Sequence, residues 1–402
     1  MNEWQEVKLK DVCLLVTDGA HSSPPSVNNG YPMASVKDMT DFGINYDTCR
    51  QIGEPDYQKL KRQNCEPQIN DVLIAKDGSY LKHTFLQRTK EEFVILSSIA
   101  IIRPNSELIF PKFLELLFRS PNIQAAAKNY VSGVAIPRIV LKDFKKINLH
   151  LPPLPTQQKI AKILSNYDDL IENNLKRIKL LEESARLTYE EWFLRFRIDG
   201  KKLDIDPDTG LPFGWEKVKL KSFCILTMGQ SPKSEFYNQT CEGLPFHQGV
   251  TNYGFRFPSN TTWSTEGSRI SEEGDILFSV RAPVGRLNVS IEKIILGRGL
   301  ASIRQINDLN SFLFYQLQNI FFEDNLMGSG AIFDSVTKRD VEDIELIYSK
   351  NISEKFNTLT STIDNEIKNL TNQNKFLKEA RDILLPRLMT GMIDTDNMDI
   401  AV

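Results

Sequence analysis

Two groups of basic and polar residues on turns are the part of this sequence whose side chains could do chemistry. Within 76–90, Asp77 is the one acidic residue among several bases, and within 281–304 the one acid is Glu292. Arginine and lysine neutralise phosphates, arginine pairs with guanine, and asparagine and glutamine pair with adenine. These groups indicate a contact with nucleic acid. The candidate residues are Lys76, Lys82, His83, Arg88, Gln248, Asn252, Arg281, Arg286 and Arg298.

The alternative to a nucleic-acid contact is a basic face that meets only solvent. Tyr80 lies within the first group, and Tyr253 and Arg256 lie upstream of the second, so aromatic and polar residues are interleaved with the bases. The two groups also occupy corresponding places in an internal repeat. Both observations favour a binding surface over a solvated face.

Motifs that would carry catalysis or hold a metal are absent from the sequence. It has no Walker A loop, no HExxH zinc helix and no nucleophile elbow. The 4 histidines stand singly, and the 5 cysteines form no CxxC pair, so neither a zinc site nor a disulfide framework is indicated. The Gly328-Ser329-Gly330 segment lacks the third glycine of a dinucleotide loop and is interpreted as a turn. The sequence favours a binding protein over an enzyme.

The segments that must position the candidate residues occur twice in the chain, as an internal repeat. The order of the matching segments is kept while the spacing between them changes. We therefore predict a two-fold repeat of one globular domain followed by one helix. The matches are WQEVKLK at 4–10 with WEKVKLK at 215–221, NDVLI at 70–74 with GDILF at 274–278, and DFKKI at 143–147 with DVEDI at 340–344.

The helix of each repeat carries an apolar seam with coiled-coil spacing. Between 155 and 196 the seam positions alternate four and three residues apart, and a matching seam lies 196 residues further on. A helix with one apolar stripe cannot bury that stripe alone. The alternative is an ordinary amphipathic helix lying on its own domain, but the repetition favours two helices that pair with each other.

Two asparagines interrupt these seams and predict the register of the pair. A buried amide without a partner costs about 1–3 kcal/mol, so Asn174 and Asn374 are expected to face each other. In an antiparallel pair, facing positions then sum to 548, and the layer beyond Pro386 is the one that a kink could displace. The other layers are Ile160 with Leu388, Leu164 with Leu384, Tyr167 with Arg381, Ile171 with Leu377, Ile178 with Leu370, Leu181 with Ile367, Ala185 with Ile363, Thr188 with Thr360, and Trp192 with Phe356.

Composition and local patterns predict the class of protein and its boundaries. A chain of 402 residues can bury more than one core, and a net charge of −3 means that any basic surface must be local. No apolar run approaches the length that spans a bilayer, and the cysteine usage fits a reducing cytoplasm. The predicted segments are a first globular domain at 1–150, a first long helix at 151–197, a linker at 198–214, a second globular domain at 215–348, a second long helix at 349–393 and a tail at 394–402.

The predicted fold class is α+β, with two β-rich mixed domains separated by an antiparallel coiled coil of two long helices. In the first domain, 72–75, 93–96 and 99–102 are predicted to be buried strands because they are short apolar runs bounded by turn signals. The segment 110–128 is predicted to be one helix. Between Ile160 and Trp192 the first long helix would rise about 50 Å at ~1.5 Å per residue, against ~34–36 Å for one turn of DNA.

Three segments carry a resemblance to a known family. LPPLPTQQKIAKILSNYDD at 151–169 resembles the first conserved helical region of the specificity (S) subunits of type I restriction-modification enzymes. LLPRLMTGMI at 384–393 resembles the second such region, and LPFGW at 211–215 resembles the entry into the second target-recognition domain of these subunits. With the internal repeat, the resemblance spans nearly the whole chain.

The resemblance implies a non-catalytic subunit that binds double-stranded DNA. Each target-recognition domain would read one half of a bipartite, asymmetric target, and methylation (M) subunits would dock on the helices and methylate adenine. S-adenosylmethionine, ATP and Mg would be bound by the M and restriction (R) subunits and none by this chain. Two other classes stay open: a helical scaffold without DNA binding, and the recognition part of a single-chain restriction-methylation enzyme.

Overall fold

The computed structural model describes residues 4–78, 81–132, 138–321, 335–395 and 398. The chain divides into two compact units, the first formed by Met1–Leu175 and Thr371–Val402 and the second by Lys176–Leu370. Tyr80 and the turn predicted at 328–330 lie outside the described residues.

The first unit contains a β-rich domain with four sheets. Its sheets have the strand orders β1-β12, β2-β9-β6-β7, β3-β5-β4-β8 and β10-β11. The strands are β1 Gln5–Lys8, β2 Cys13–Asp18, β3 Ser26–Val27, β4 Tyr31–Ala34, β5 Arg50–Ile52, β6 Val72–Ala75, β7 Thr84–Leu86, β8 Val94–Ile95, β9 Ile99–Pro104, β10 Val131–Ser132, β11 Arg138–Ile139 and β12 Asn148–Leu151. The helices are α1 Glu54–Arg62, α2 Pro111–Arg119, α3 Pro121–Lys128, α4 Leu141–Phe144 and α5 Leu154–Tyr189, of which the part from Lys176 onward belongs to the second unit.

The three strands predicted for this domain are confirmed, and the single helix predicted at 110–128 is wrong. β6 is buried at all four positions and lies between β9 and β7, which is why its sequence VLIA is apolar on both faces. The helix is broken into α2 and α3 because Pro121 follows Ser120. A residue before proline is disfavoured in the α region, and Ser120 is extended, with φ −69° and ψ 143°.

The second unit repeats this plan, and among its described residues the second sheet has five strands where that of the first unit has four. Its sheets have the orders β15-β25, β16-β24-β21-β22, β17-β19-β18-β23-β20 and β13-β14. The strands are β13 Arg197–Ile198, β14 Lys201–Lys202, β15 Glu216–Lys219, β16 Cys224–Met228, β17 Tyr237–Asn238, β18 Leu244–His247, β19 Trp263–Ser264, β20 Ile270–Ser271, β21 Ile276–Ser279, β22 Leu287–Val289, β23 Ile294–Leu296, β24 Leu300–Gln305 and β25 Glu345–Tyr348. The helices are α6 Leu220–Phe223, α7 Asn310–Ile320, α8 Lys338–Glu342 and α9 Lys350–Met389, of which the part from Thr371 onward belongs to the first unit.

The predicted two-fold repeat is confirmed by the central sheets. The central sheets β2-β9-β6-β7 and β16-β24-β21-β22 have the same strand order. In each, the first strand pairs antiparallel with a six-residue strand, β2 with β9 and β16 with β24. Both units also contain the one parallel pair of their second sheet, β4 with β8 and β18 with β23. A bidentate ion pair is repeated as well, because Arg103 binds Asp71 and Arg304 binds Asp275.

Each long helix is continuous, with ends slightly different from those predicted. α5 begins at Leu154 and is followed at Glu190–Leu194 by a π-helical turn. α9 remains helical through Pro386 to Met389, and Gly391, with φ +70°, follows its end. The left-handed conformation favours glycine and ends a helix.

The two helices pack against each other in both units. In the first unit, Asn174 Nδ2 donates to Asn374 Oδ1 at 3.0 Å, and both side chains are 5% exposed. In the second unit, Ile178, Ile367 and Leu370 form one apolar cluster with Leu181 beside it.

The end of the seam in the second unit follows the predicted register in one layer and departs from it in another. The ring centroids of Trp192 and Phe356 are 5.8 Å apart, as the register requires. Thr188 is only half-buried and donates to its own helix at Ser184 O, while the neighbouring Tyr189 is buried against Phe356. A regular α-helix drifts relative to a heptad repeat, which brings Tyr189 onto the seam.

A second departure lies in the first unit. Arg381, predicted to face Tyr167, binds the next residue instead, with its Nη1 2.9 Å from Asp168 Oδ1. A buried carboxylate requires charged partners, and this requirement decides where the guanidinium goes.

Candidate nucleic-acid interface

Lys76 is a structural residue and not an exposed base. It is 6% exposed, and its Nζ lies 3.1 Å from Asp18 Oδ2 and 3.6 Å from Asp77 Oδ1. Asp77 is next to Lys76 in the sequence, whereas Asp18 is far from it in the sequence, at the end of β2. Burial between two carboxylates makes Lys76 unsuited to bind a phosphate.

Two other candidates of the first group also have acidic partners that are remote in sequence. His83 Nδ1 lies 3.0 Å from Asp41 Oδ1. Arg88 Nη1 lies 2.9 Å from Glu172 and 3.2 Å from Asp169, both on the first long helix. The first group therefore carries less unopposed positive charge than its local sequence indicates. Its exposed member near the tip of the β6–β7 hairpin is Lys82.

The three candidate arginines of the second group lie on turns and are exposed. Arg281 and Arg286 are on the connection between β21 and β22, and Arg298 is on the turn between β23 and β24. Gln248 is exposed directly after β18. Asn252 follows in a short helical turn, where its Nδ2 donates to Thr261 Oγ1 at 2.6 Å.

Four loops of the second unit meet where β16, β18, β21 and β23 end, and we call this place the loop junction. It comprises 229–231, 248–249, 280–281 and 297–299. Backbone hydrogen bonds join the loops across the chain. They run from Gln230 N to Leu296 O at 2.9 Å, from Gly297 N to His247 O at 2.8 Å, from Gly299 N to Gln248 O at 3.1 Å and from Val280 N to Gly299 O at 3.0 Å.

Glycines allow these loops to approach so closely. A Cβ on Gly229 would lie 2.1 Å from Gly297 O, and a Cβ on Gly299 would lie 2.6 Å from Gln248 O. A Cβ on Gly297 would lie 2.6 Å from Gln248 Cα. Since the obstructing atoms are backbone, no side-chain rotation could relieve these contacts. The glycines therefore fix where Gln248 stands.

The side chains of the junction form an ordered polar group beside a cleft. Ser231 Oγ donates to Gln248 Oε1 at 2.8 Å and accepts from Arg298 N at 3.2 Å. Arg281 and Arg298 line a cleft of about 420 Å³. The other residues that line it are Met228, Val280, Ser335 and Val336.

Such a group has the chemistry to bind DNA. The guanidinium groups can pair with phosphate or with guanine, the amide of Gln248 can pair with adenine, and apolar side chains can contact the methyl group of thymine. The sequence analysis missed Ser231, Met228 and Ser335. A usable signal was present, because Thr17-Asp18-Gly19 returns as Thr227-Met228-Gly229 just before the first loop of the junction.

Arg256, which the sequence placed among the interleaved polar residues of the interface, is buried instead. It is 3% exposed, binds Asp364 on the second long helix, and lies 3.9 Å from Glu182 on the first. Its guanidinium carbon is 3.5 Å from the centroid of Phe314. Burial raises the pKa of Glu182 to about 7, against a lowering by Arg256. Arg256 therefore attaches the second domain to the helices.

Asp168 has the same role in the first unit, at the repeat position equivalent to Asp364. Its carboxylate is fully buried and accepts from Lys112 at 3.1 Å, from Arg119 at 2.7 Å and from Arg381 at 2.9 Å. Burial alone would raise the pKa of Asp168, but the three cations hold it well below its usual range. This ionic group joins the first domain to both helices within the unit.

The described residues contain no group of three His, Cys, Asp or Glu side chains that could hold a metal ion. Across the same part of the chain, no helix combines the length and the apolar character needed to cross a membrane.

Comparison with known proteins places this architecture. The family described as "Type I restriction modification DNA specificity domain" matches residues 1–183 and 212–375. The putative type I restriction enzyme MjaX specificity subunit of Methanocaldococcus jannaschii is 29% identical over 97% of this chain and 94% of its own. The type I restriction enzyme HindI specificity subunit of Haemophilus influenzae is 23% identical over 80% of this chain and 86% of its own.

A solved structure shows the same fold. The S subunit of a type I restriction-modification system from M. genitalium has a TM-score of 0.60 at 16% identity, over 96% of each chain. The family match covers both repeats and most of the chain. The chain belongs to the family of type I restriction-modification DNA specificity domains.

Proposed function

We propose that this chain is the DNA-binding specificity subunit of a type I restriction-modification complex. Its two β-rich domains act as target-recognition domains, each of which reads one half of a bipartite, asymmetric target. The proposal rests on the family, on the repeat that gives two domains of one fold, and on the loop junction. The two long helices serve as the spacer between the half-sites.

The observation that carries the proposal is the exposure of Arg281 and Arg298 on one cleft, with the exposed Gln248 held beside Arg298 through Ser231. Among the residues described, these arginines have no acidic partner within ion-pair distance, in contrast to Lys76 and Arg88. An exposed arginine pair beside an oriented amide is suited to phosphate contact and base readout together.

The chemistry of modification and cleavage belongs to other subunits in this proposal. M subunits dock on the helical regions, carry S-adenosylmethionine and methylate adenine, and R subunits use ATP and Mg for cleavage. This chain is not an enzyme, binds none of these cofactors and works in the cytoplasm. Support for this division of labour is the sequence, which lacks the motifs that either reaction would need.

A binding assay and a methylation map test the proposal. The full-length chain, with its M subunit, should shift a labelled random-sequence duplex, and the complex should methylate adenines at one bipartite sequence. Exchange of residues 1–150 for another recognition domain should change one half of that sequence only. Protein assembly without DNA binding would identify a helical scaffold, and methylation by this chain alone would identify a single-chain enzyme.

A test of the spacer uses the helices. Insertion of one helical turn into both α5 and α9 should lengthen the unread gap between the half-sites and leave the specified bases unchanged. A map with altered bases and an unaltered gap contradicts the role given to the helices.

A further inference from the structure

The first unit has a junction built like that of the second, so their residues can be matched one by one. The matching bonds run from Ala20 N to Ile95 O, from Leu96 N to Ala34 O and from Lys76 N to Ser98 O, each at 2.8 Å. These correspond to the bonds at Gln230, Gly297 and Val280. Isolated bridges match as well, Asp77 with Arg138 and Arg281 with Ser335.

The match assigns an equivalent to each polar residue of the loop junction. His21 corresponds to Ser231, Ser35 to Gln248, Asp77 to Arg281 and Ser97 to Arg298. One further pair lies at the end of the first strand, where Asp18 corresponds to Met228. Where the second unit has two arginines, the first therefore has an acid and a serine.

The electrostatic consequence is a difference between the two domains at the same place in the fold. In the first unit the acids Asp18 and Asp77 accompany the bases Lys76 and Arg138, and Lys76 is buried between the two acids. In the second unit no acid occupies the equivalent positions, which hold one base, Arg281, and the neutral residues Met228, Val280 and Ser335. Carboxylates at a DNA surface repel phosphate and accept only from donors such as the N4 amino group of cytosine.

We propose that the two recognition domains divide DNA binding unequally. The second domain is the phosphate anchor, through Arg281 and Arg298, and supplies most of the salt-dependent affinity. The first domain reads its half-site through neutral and acidic side chains and adds little to that affinity. The ligand of the anchor is the sugar-phosphate backbone of double-stranded DNA, and the inference rests on the proposed function.

Salt dependence measures the anchor directly. Binding of the full-length chain, with its M subunit, to a labelled 40-base-pair duplex of random sequence is titrated between about 50 and 200 mM salt. Each phosphate contact contributes about −0.9 to the slope of log affinity against log salt, so Arg281→Ser with Arg298→Ser should make the slope shallower by about 1.8. Across that salt range the arginine variant should therefore lose about twelvefold less affinity than the wild type.

Two further variants complete the test. Lys217→Ser with Lys219→Ser removes the same charge from exposed positions on β15 and should leave the slope nearly unchanged. Ser97→Arg with Asp77→Asn gives the first unit the character of the second and should steepen the slope by about 0.9 or more. Thermal unfolding of each variant verifies that the domains remain folded.

The outcomes separate the inference from the function on which it rests. If the wild type binds and the slope changes equally in the Arg281/Arg298 and Lys217/Lys219 variants, the second domain is not the phosphate anchor. The proposed function is then unaffected. Wild-type binding with an unchanged slope in the arginine variant would lead to the same conclusion. Failure of the wild-type complex to bind any duplex would overturn the proposed function itself.

Discussion

Replacement of Asn174 by leucine would remove one side of a buried amide pair. In the structure, Asn174 Nδ2 donates to Asn374 Oδ1 at 3.0 Å, and Asn374 Nδ2 has no partner among the described residues. The leucine would leave the whole amide of Asn374 without a hydrogen bond, at a cost of about 1–3 kcal/mol. With leucine at both positions, this layer of the helix pair contains no buried amide. The double variant should therefore be at least as stable as the wild type.

The assay is a double-mutant cycle read by calorimetry. Because a chain of two compact units is not expected to unfold in one two-state transition, the transition of the first unit is followed on its own. Each single variant should lower its melting temperature by about 2–12 °C, at ~2–4 °C per kcal/mol, and the double variant should recover it. The coupling energy between the two positions should exceed about 2 kcal/mol.

Strictly additive effects would refute the reasoning, since they would mean that the two amides do not depend on each other.

The register has an independent test in cross-linking. Ile171→Cys should form a disulfide with Leu377→Cys and not with Leu384→Cys, because a disulfide requires Cα atoms within about 7 Å.

Further predictions concern the ionic groups and the junction. Asp168→Asn should destabilise the first unit by about 3–5 kcal/mol, and Asp364→Asn should act on the second unit, as monitored by separate melting transitions. Since the folded pKa of Asp168 is lowered, its contribution should be lost as pH falls below its ordinary value of 3.8. Burial raises the pKa of Glu182 from 4.5 to about 7, so the second unit should lose stability as pH rises through that interval, and Glu182→Gln should flatten this profile in urea titrations. Gly299→Ala should weaken DNA binding about tenfold in gel shifts, or ~1.4 kcal/mol, while Gly249→Ala, with no atom within 4 Å of its added Cβ, should not.

The sequence was sufficient for features that repeat or that follow local patterns. The helix pair was predictable because its seams recur 196 residues apart and because Asn174 and Asn374 break them at facing positions. The strand at 72–75 was predictable because an apolar run bounded by turns has few other structures available to it.

The candidate interface was less predictable because it depends on contacts between distant segments. Nothing near Lys76 in the sequence reveals Asp18, and nothing near Arg256 reveals Asp364. A polar segment containing an arginine has the same local pattern whether the guanidinium is buried or exposed. The junction depends on three glycines whose importance lies in the backbone atoms that they face.

The equivalence of Asp168 and Asp364 bears on how such a protein could acquire a new target. Each aspartate belongs to a long helix, whereas the cations that neutralise it come largely from the globular domain, as Arg119 does for Asp168 and Arg256 does for Asp364. A domain grafted onto these helices must therefore supply a cation that can pair with the aspartate of the helix. A graft on the first unit that lacks such a cation would leave the buried Asp168 with Arg381 alone of its three described cations, which would destabilise the unit. Exchange of recognition domains is therefore limited by the cation that each domain supplies to a long helix.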